Sequence, residues 1–192
     1  MAEVVIFHHA QGLTHGVREF AETLGRAGHT AHVPDLYEGR VLTTLQEGVA
    51  YAKETGFDTI IERGRGAVEK LPSELVYAGF SLGVLVAQML AQTRPGAKGA
   101  LLFEACFPVS EFGGTWPSDV RVQIHGMDAD EFFAYEGDLE AARALVRANP
   151  DAELFLYSGN QHLFADNSLP SYDEHAAALL TERVLGFLDR IT

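Results

Sequence analysis

Short apolar segments alternate along the chain with longer amphipathic ones, and few folds can accommodate this alternation. The apolar segments are rich in β-branched and aromatic residues and are typical of strands. They are predicted at 4–7, 30–33, 75–78, 99–103, 120–125 and 153–157. Helices are predicted at 16–27, 44–54, 58–71, 84–92, 139–148 and 173–188. Because the strands are continuously apolar, both faces of their sheet must be covered. The pattern therefore predicts an α/β fold with a mostly parallel, twisted sheet and helices on both faces.

Length and charge narrow the class of protein further. The 192 residues suit one domain, and we expect a single domain spanning residues 1–192. Lys and Arg number 14 and Asp and Glu 27, for a net charge of −13, so we expect no nucleic-acid partner. No apolar tract approaches the ~20 residues of a membrane span, and the first residues lack the basic region of a signal peptide. We therefore expect a cytoplasmic protein that does not bind membranes.

The segment 79–83, with the sequence Gly-Phe-Ser-Leu-Gly, carries the clearest chemical signal. It lies between the predicted strand 75–78 and the predicted helix 84–92, which is the context of a G-x-S-x-G nucleophile elbow. The glycines permit the tight turn that exposes the serine at the end of the sheet. The amide of Leu82, near a helix N-terminus, would face a developing oxyanion. This context predicts Ser81 as the nucleophile of an acyl transfer.

A nucleophilic serine needs a base and an acid, which in this architecture follow it in the order acid, then histidine. His162 lies in a polar loop after the last predicted strand, 153–157, and is therefore the predicted base. The loop after the preceding predicted strand carries three carboxylates: Asp128, Asp130 and Glu131. A buried aspartate there would orient the imidazole and stabilise its protonated form. Spacing alone leaves the choice of acid open.

Several segments spread over nearly the whole chain also carry a family resemblance. They are Gly12-Leu13 with the helix containing Arg18-Glu19, Pro-Asp-Leu-Tyr at 34–37, the elbow at 79–83, Asp-Glu-Phe at 130–132, Gly-Asn-Gln-His-Leu-Phe at 159–164 and the last helix from 176 to 188. Together they resemble the dienelactone hydrolases, a family of the α/β-hydrolase fold. The resemblance implies that fold without a large cap domain and a triad of Ser81, Asp130 and His162, because the family's Asp-x-Phe pattern favours Asp130 over Asp128. It also implies that the Ala10 amide joins that of Leu82 in the oxyanion hole.

Three positions depart from the pattern of the family enzyme. Ser81 stands in place of its nucleophilic cysteine, and His9 in place of a glutamate that interacts with that cysteine. Asp166, four residues after His162, stands in place of an arginine that holds the substrate carboxylate. A carboxylate there would repel an anionic lactone. We therefore expect a neutral ester, lactone or thioester as substrate, with His9, Asp128 and Asp166 as candidate pocket residues.

Acyl transfer of this kind needs neither a cofactor nor a metal, and none is expected. His8 and His9 are adjacent at the end of a predicted strand, so their side chains point to opposite faces and do not suit one metal ion. The expected activity is that of a carboxylic ester hydrolase acting on a small molecule, as a monomer or homodimer. Two alternatives share the same residues. One is a non-catalytic α/β-hydrolase relative that binds a small ligand, and the other is an acyltransferase that uses the same triad.

Overall fold

A six-stranded sheet runs through the protein, which the computed structural model describes from residue 1 to residue 191. The strands in chain order are β1 (Glu3–Phe7), β2 (Thr30–His32), β3 (Val76–Phe80), β4 (Gly99–Phe103), β5 (Arg121–Met127) and β6 (Ala152–Tyr157). Their spatial order is β2-β1-β3-β4-β5-β6, and every neighbouring pair is parallel. All carboxyl ends therefore meet at one edge of the sheet, where ligands bind in folds of this kind.

The described residues form seven α-helices, of which six lie between strands and the seventh follows β6. They are α1 (His15–Arg26), α2 (Leu45–Thr55), α3 (Phe57–Val68), α4 (Gly83–Thr93), α5 (Glu131–Tyr135), α6 (Asp138–Ala148) and α7 (Glu174–Ile191). Local sequence fixes several of their starts. Thr14 caps α1 by accepting a hydrogen bond from the Val17 amide, and Thr44 and Glu47 form a reciprocal capping box at α2.

Two hydrophobic cores lie on opposite faces of the sheet, and β1 divides its side chains between them. Val4 and Ile6 pack with the apolar faces of α1 and α7, whereas Val5 and Phe7 pack with residues of α2, α3, α4 and α6. The strands are thus covered on both faces, as their continuously apolar sequences predicted. The predicted α/β architecture, a mostly parallel sheet with helices on both faces, is confirmed.

The structure differs from the sequence prediction mainly near the ends of elements. β3 continues two residues beyond the predicted 75–78, because Phe80 still pairs with Phe103 of β4. Residues 131–135, expected as loop, form the short helix α5. Between β4 and β5 the described chain holds only a 3-10 helix, Val109–Phe112, so this part has no cap domain. Among residues 1–191 no helix is long and apolar enough to cross a membrane.

Candidate active site

Ser81 occupies a strained turn between β3 and α4. Its φ of 46° lies in the left-handed region, and its amide donates to the Phe103 carbonyl at 2.8 Å. The flanking glycines allow this turn because there is no room for a Cβ at either position. One at Gly79 would lie 2.5 Å from backbone atoms of Gly83, and one at Gly83 would collide with the Phe7 carbonyl oxygen. The serine hydroxyl is thereby presented at the carboxyl edge of the sheet.

The structure brings Ser81, His162 and Asp130 into one chain of hydrogen bonds. Ser81 Oγ lies 2.8 Å from His162 Nε2, and His162 Nδ1 lies 2.7 Å from Asp130 Oδ2. Asp130 is fully buried and caps α5, where its second oxygen accepts from the Phe132 amide at 3.0 Å. Both carboxylate oxygens therefore have a donor, which fixes the acid and, through it, the imidazole ring.

Asp128, the other aspartate left open by spacing, lies outside this hydrogen-bond chain. Its side chain is exposed and accepts from the Gly159 amide at 3.1 Å. Its own amide donates to the Tyr157 carbonyl at 2.9 Å. The structure therefore places Asp128 at the junction of two loops and not beside the imidazole.

The surroundings of His162 favour its protonated form. Burial opposes protonation, but the hydrogen bond that His162 donates to Asp130 and the carboxylates of Glu104 and Asp138 outweigh it and raise the pKa of His162 above its ordinary value. The Phe132 ring lies 4.8 Å from the imidazole ring, centre to centre. His162 is therefore held from two sides, and its protonated form is stabilised.

The amides of Ala10 and Leu82 are both free to act as donors. Within residues 1–191 neither amide donates a hydrogen bond to another residue. Leu82 directly precedes α4, and Ala10 follows β1, which pairs with β3 beside the serine. The Ala10 loop is packed tightly, since a Cβ at Gly48 of α2 would collide with the Ala10 carbonyl oxygen. Both amides thus belong to rigid segments at the carboxyl edge.

His9 and Asp166 form a buried pair, and this differs from the expectation that both line a pocket. They are 0% and 1% exposed, and His9 Nε2 donates to Asp166 Oδ2 at 2.8 Å. Thr14 donates to the same oxygen, and Ser168 donates to the other through both its amide and its hydroxyl. Burial would raise the pKa of Asp166, but these donors outweigh it and lower the pKa to about 2. The carboxylate is therefore a structural anion, which joins the first loop to the segment after His162.

Both rings of the His8-His9 pair are already engaged by protein groups. His8 Nδ1 donates to the His9 carbonyl at 2.8 Å, while its Nε2 accepts from the Leu36 amide at 3.0 Å. Burial lowers the pKa of His8 to about 4, so the ring is neutral. Among the described residues there is no group of three His, Cys, Asp or Glu side chains that would suit a metal ion.

Sequence reasoning missed Glu104, a buried carboxylate that raises the pKa of His162. It follows β4 directly, is 1% exposed and has a φ of 63°. Its position directly after the predicted strand 99–103 is the one sequence signal that it shares with the carboxyl edge of the sheet, and this signal is also found at glutamates in solvent. Three of the four non-glycine residues with positive φ lie in this region: Ser81, Glu104 and Leu163. Backbone strain is thus concentrated at the carboxyl edge, as is common at functional sites.

Solved structures with a similar fold are numerous. One is a dienelactone hydrolase-like promiscuous phosphotriesterase from metagenomic libraries, 18% identical, with a TM-score of 0.77 over 100% of this chain and 87% of that one. Another is esterase 2 of the planctomycete Thermogutta terrifontis with bound propionate, 21% identical, with a TM-score of 0.64 over 99% and 83% of the two chains. These similarities establish the α/β-hydrolase fold.

Two sequence comparisons complete the identification. No curated protein matches the chain in sequence. The model of the dienelactone hydrolase family, in contrast, matches residues 1–192. The predicted family is therefore confirmed, and the chain belongs to the dienelactone hydrolase family.

Proposed function

We propose that the protein is a serine hydrolase that cleaves a small neutral ester, lactone or thioester through an acyl-enzyme on Ser81. The observation that carries this proposal is the unbroken hydrogen-bond chain from Ser81 Oγ through His162 to the buried carboxylate of Asp130. Ser81 and His162 are both partly exposed, so a substrate can reach the reacting atoms. An esterase or hydrolase is the activity expected of this family and of these neighbours.

The reaction follows from the roles that the geometry supports. Ser81 Oγ attacks the carbonyl carbon while its proton moves to His162 Nε2, and Asp130 stabilises the imidazolium. The Ala10 and Leu82 amides stabilise the tetrahedral oxyanion, each contributing about 3 kcal/mol. His162 then gives its proton to the leaving oxygen or sulfur. Water, deprotonated by the same imidazole, releases the acid and restores the serine.

An apolar groove beside His162 supports a substrate with a hydrophobic part. It has a volume of about 570 Å³ and is lined by Phe132 and by five residues of α2: Leu45, Gln46, Val49, Ala50 and Lys53. Phe132 links the groove to the surroundings of His162, since it lines the groove and its ring contacts the imidazole. An acyl or alkyl group in this groove would therefore contact the same aromatic side chain that contacts the proposed catalytic base.

Charge supports a neutral substrate. Glu104, Asp130 and Asp138 all act on His162, and the whole chain carries a net charge of −13. This field opposes a carboxylate near the reacting atoms. The reason differs from the one expected from sequence, because Asp166 is buried in its own hydrogen bonds and does not face the substrate.

The first test is intact mass after treatment with a fluorophosphonate. One adduct on the wild type and none on Ser81→Ala is expected, because only an activated serine reacts. No adduct on the folded wild type would refute the acyl-enzyme and favour a ligand-binding protein. Product analysis with added alcohol or amine then separates a hydrolase from an acyltransferase.

A second test locates the substrate with p-nitrophenyl esters of increasing acyl length. Val49→Trp fills the groove and should reduce kcat/KM for octanoate at least tenfold more than for acetate. Ala144→Trp is the matched control, because it fills a different groove between α6 and the loop after β4. An equal effect of Val49→Trp on all chain lengths would remove the groove from the substrate site and leave the acyl-enzyme untouched.

A further inference from the structure

Glu104 lies between the two strands that carry the nucleophile and the acid. The sheet order places β4 between β3, which leads to Ser81, and β5, which leads to Asp130. Backbone hydrogen bonds hold this strand end from both sides. The Ser81 amide donates to the Phe103 carbonyl at 2.8 Å, and the Glu104 amide donates to the His125 carbonyl at 2.7 Å. The position of the glutamate is therefore fixed by the same backbone that fixes the triad.

The carboxylate of Glu104 has no structural partner. It is 1% exposed, and neither oxygen accepts a hydrogen bond of good geometry within residues 1–191, although the nearby Phe164 amide favours the ionised form. A buried acid without a donor destabilises a fold, and a leucine or glutamine would fill the space at lower cost. Its backbone is also strained, with a φ of 63°. Neither packing nor hydrogen bonding explains an acid at this position.

Glu104 and the imidazole of His162 interact electrostatically. Burial, with smaller contributions from Asp130 and Asp166, raises the pKa of Glu104, and His162 and the Phe164 amide lower it, which leaves the pKa at about 7. The same carboxylate raises the pKa of His162, together with Asp130 and Asp138. Of these titratable neighbours only His162 becomes positive, so ionisation of Glu104 and protonation of His162 favour each other.

We propose that Glu104 is a positioning residue that acts through His162, as a second carboxylate that stabilises the imidazolium. The proposal rests on the proposed hydrolase function. During acylation the Ser81 hydroxyl proton moves to His162 Nε2, and Oγ bonds to the carbonyl carbon. The negative charge of the ionised Glu104 then adds to that of Asp130 in stabilising the positive ring. The proton passes from Nε2 to the leaving group, and Glu104 itself neither takes nor gives it.

The test compares the pH dependence of kcat/KM in the wild type and in Glu104→Gln. Loss of a nearby carboxylate should lower the midpoint of the acid limb by about one pH unit, and kcat should fall about tenfold. Glu104→Asp keeps the charge and should keep the wild-type midpoint. Glu111→Gln removes one exposed negative charge from the same connection and is the matched control, expected to behave as wild type. A wild-type midpoint and rate in Glu104→Gln would overturn the proposal, even if its melting temperature changed.

Fluorophosphonate labelling separates this inference from the function on which it rests. If the wild type forms no adduct, the proposed function fails, and this inference fails with it. If the wild type and Glu104→Gln are labelled with the same pH dependence, only this inference fails. Slower labelling of Glu104→Gln, with a midpoint at lower pH, supports both.

A measurement without substitution of Glu104 covers the case in which its variants do not fold. In the Ser81→Ala protein, carbon-13 NMR of the side-chain carboxyls follows Glu104 and Asp130 while the imidazole protons report His162. The Glu104 resonance should titrate near neutral pH and in step with the ring. A Glu104 carboxyl that titrates only in the ordinary range of glutamate, with no step when His162 titrates, would overturn the proposal.

Discussion

The buried carboxylate of Asp166 makes a stability prediction that can be worked out bond by bond. In Asp166→Asn one oxygen becomes an NH₂ group, and each side of the wild-type carboxylate faces fixed N–H donors. On one side lies His9 Nε2, whose hydrogen is required because Nδ1 accepts from the Gln11 amide at 3.2 Å. On the other side lies the Ser168 amide at 2.9 Å. Whichever way the amide turns, one N–H therefore opposes another.

The magnitude follows from the bonds and from the pKa. A hydrogen bond to a charged group contributes about 1.5–3 kcal/mol to stability. Because one or two such bonds are lost, Asp166→Asn should lower the free energy of unfolding by about 3 kcal/mol. The pKa gives a similar value for the charge itself. The pKa of Asp166 falls from 3.8 to about 2 on folding. Each pKa unit corresponds to about 1.4 kcal/mol, so the ionised carboxylate stabilises the fold by about 2–3 kcal/mol. For a protein of this size, the melting temperature should fall by about 6–12 °C.

The pH dependence identifies the charge as the cause. A depressed folded pKa stabilises the protein above the unfolded pKa, and this stability is lost as pH falls through the folded value. The difference in the free energy of unfolding between wild type and Asp166→Asn, measured with urea, should therefore have its full value at pH 6. It should become smaller between pH 4 and pH 2. Asp119→Asn, at an exposed position, should unfold like the wild type. A difference below about 0.5 kcal/mol, or one that did not change with pH, would refute the reasoning.

Three further predictions concern catalysis and the elbow. The raised pKa of His162 means that kcat/KM should rise with pH to a midpoint above about 6.5, the ordinary value of histidine, and a midpoint near 5 in a pH–rate profile would contradict it. Asp130→Asn should lower kcat by about 10³–10⁴-fold, by analogy with other triads, whereas the kcat of Asp128→Asn should stay within about threefold of wild type. Equal losses of kcat in the ester assay would contradict the assignment of Asp130 as the triad acid. Gly83→Ala should destabilise the fold by about 3 kcal/mol or more, because the added Cβ would collide with the Phe7 carbonyl oxygen. An unchanged melting temperature in calorimetry would contradict this prediction.

The residues that sequence places well are those whose position at the carboxyl edge follows from local order along the chain. Ser81 and His162 each follow an apolar strand, and parallel strands deliver their carboxyl ends to one edge, so local pattern and topology together predict their meeting. Asp130 and Asp128 could not be separated in this way, because both follow the same strand. In the structure they differ because Asp130 is buried at the start of α5, a helix too short to predict, and bonds to His162, whereas Asp128 is exposed.

The residues that sequence places poorly depend on contacts between distant parts of the chain. His9 and Asp166 are separated by 157 positions, and nothing near either one predicts that they pair in the interior. A glutamate after a strand, such as Glu104, has the same sequence pattern as one in solvent. Its burial depends on neighbouring segments, including the one that contains Phe164, and these come from elsewhere in the chain.

The left-handed backbone at Ser81 also has an evolutionary consequence. A serine in this conformation is less stable than a glycine would be, by about 1 kcal/mol. A population of this protein maintained only for folding and solubility would therefore drift toward glycine or asparagine at position 81. Under the proposed function, the Ser81 hydroxyl offsets this loss of stability through its role in turnover. Deep mutational scanning for abundance should accordingly rank Ser81→Gly as neutral or better, while a screen for turnover should eliminate it.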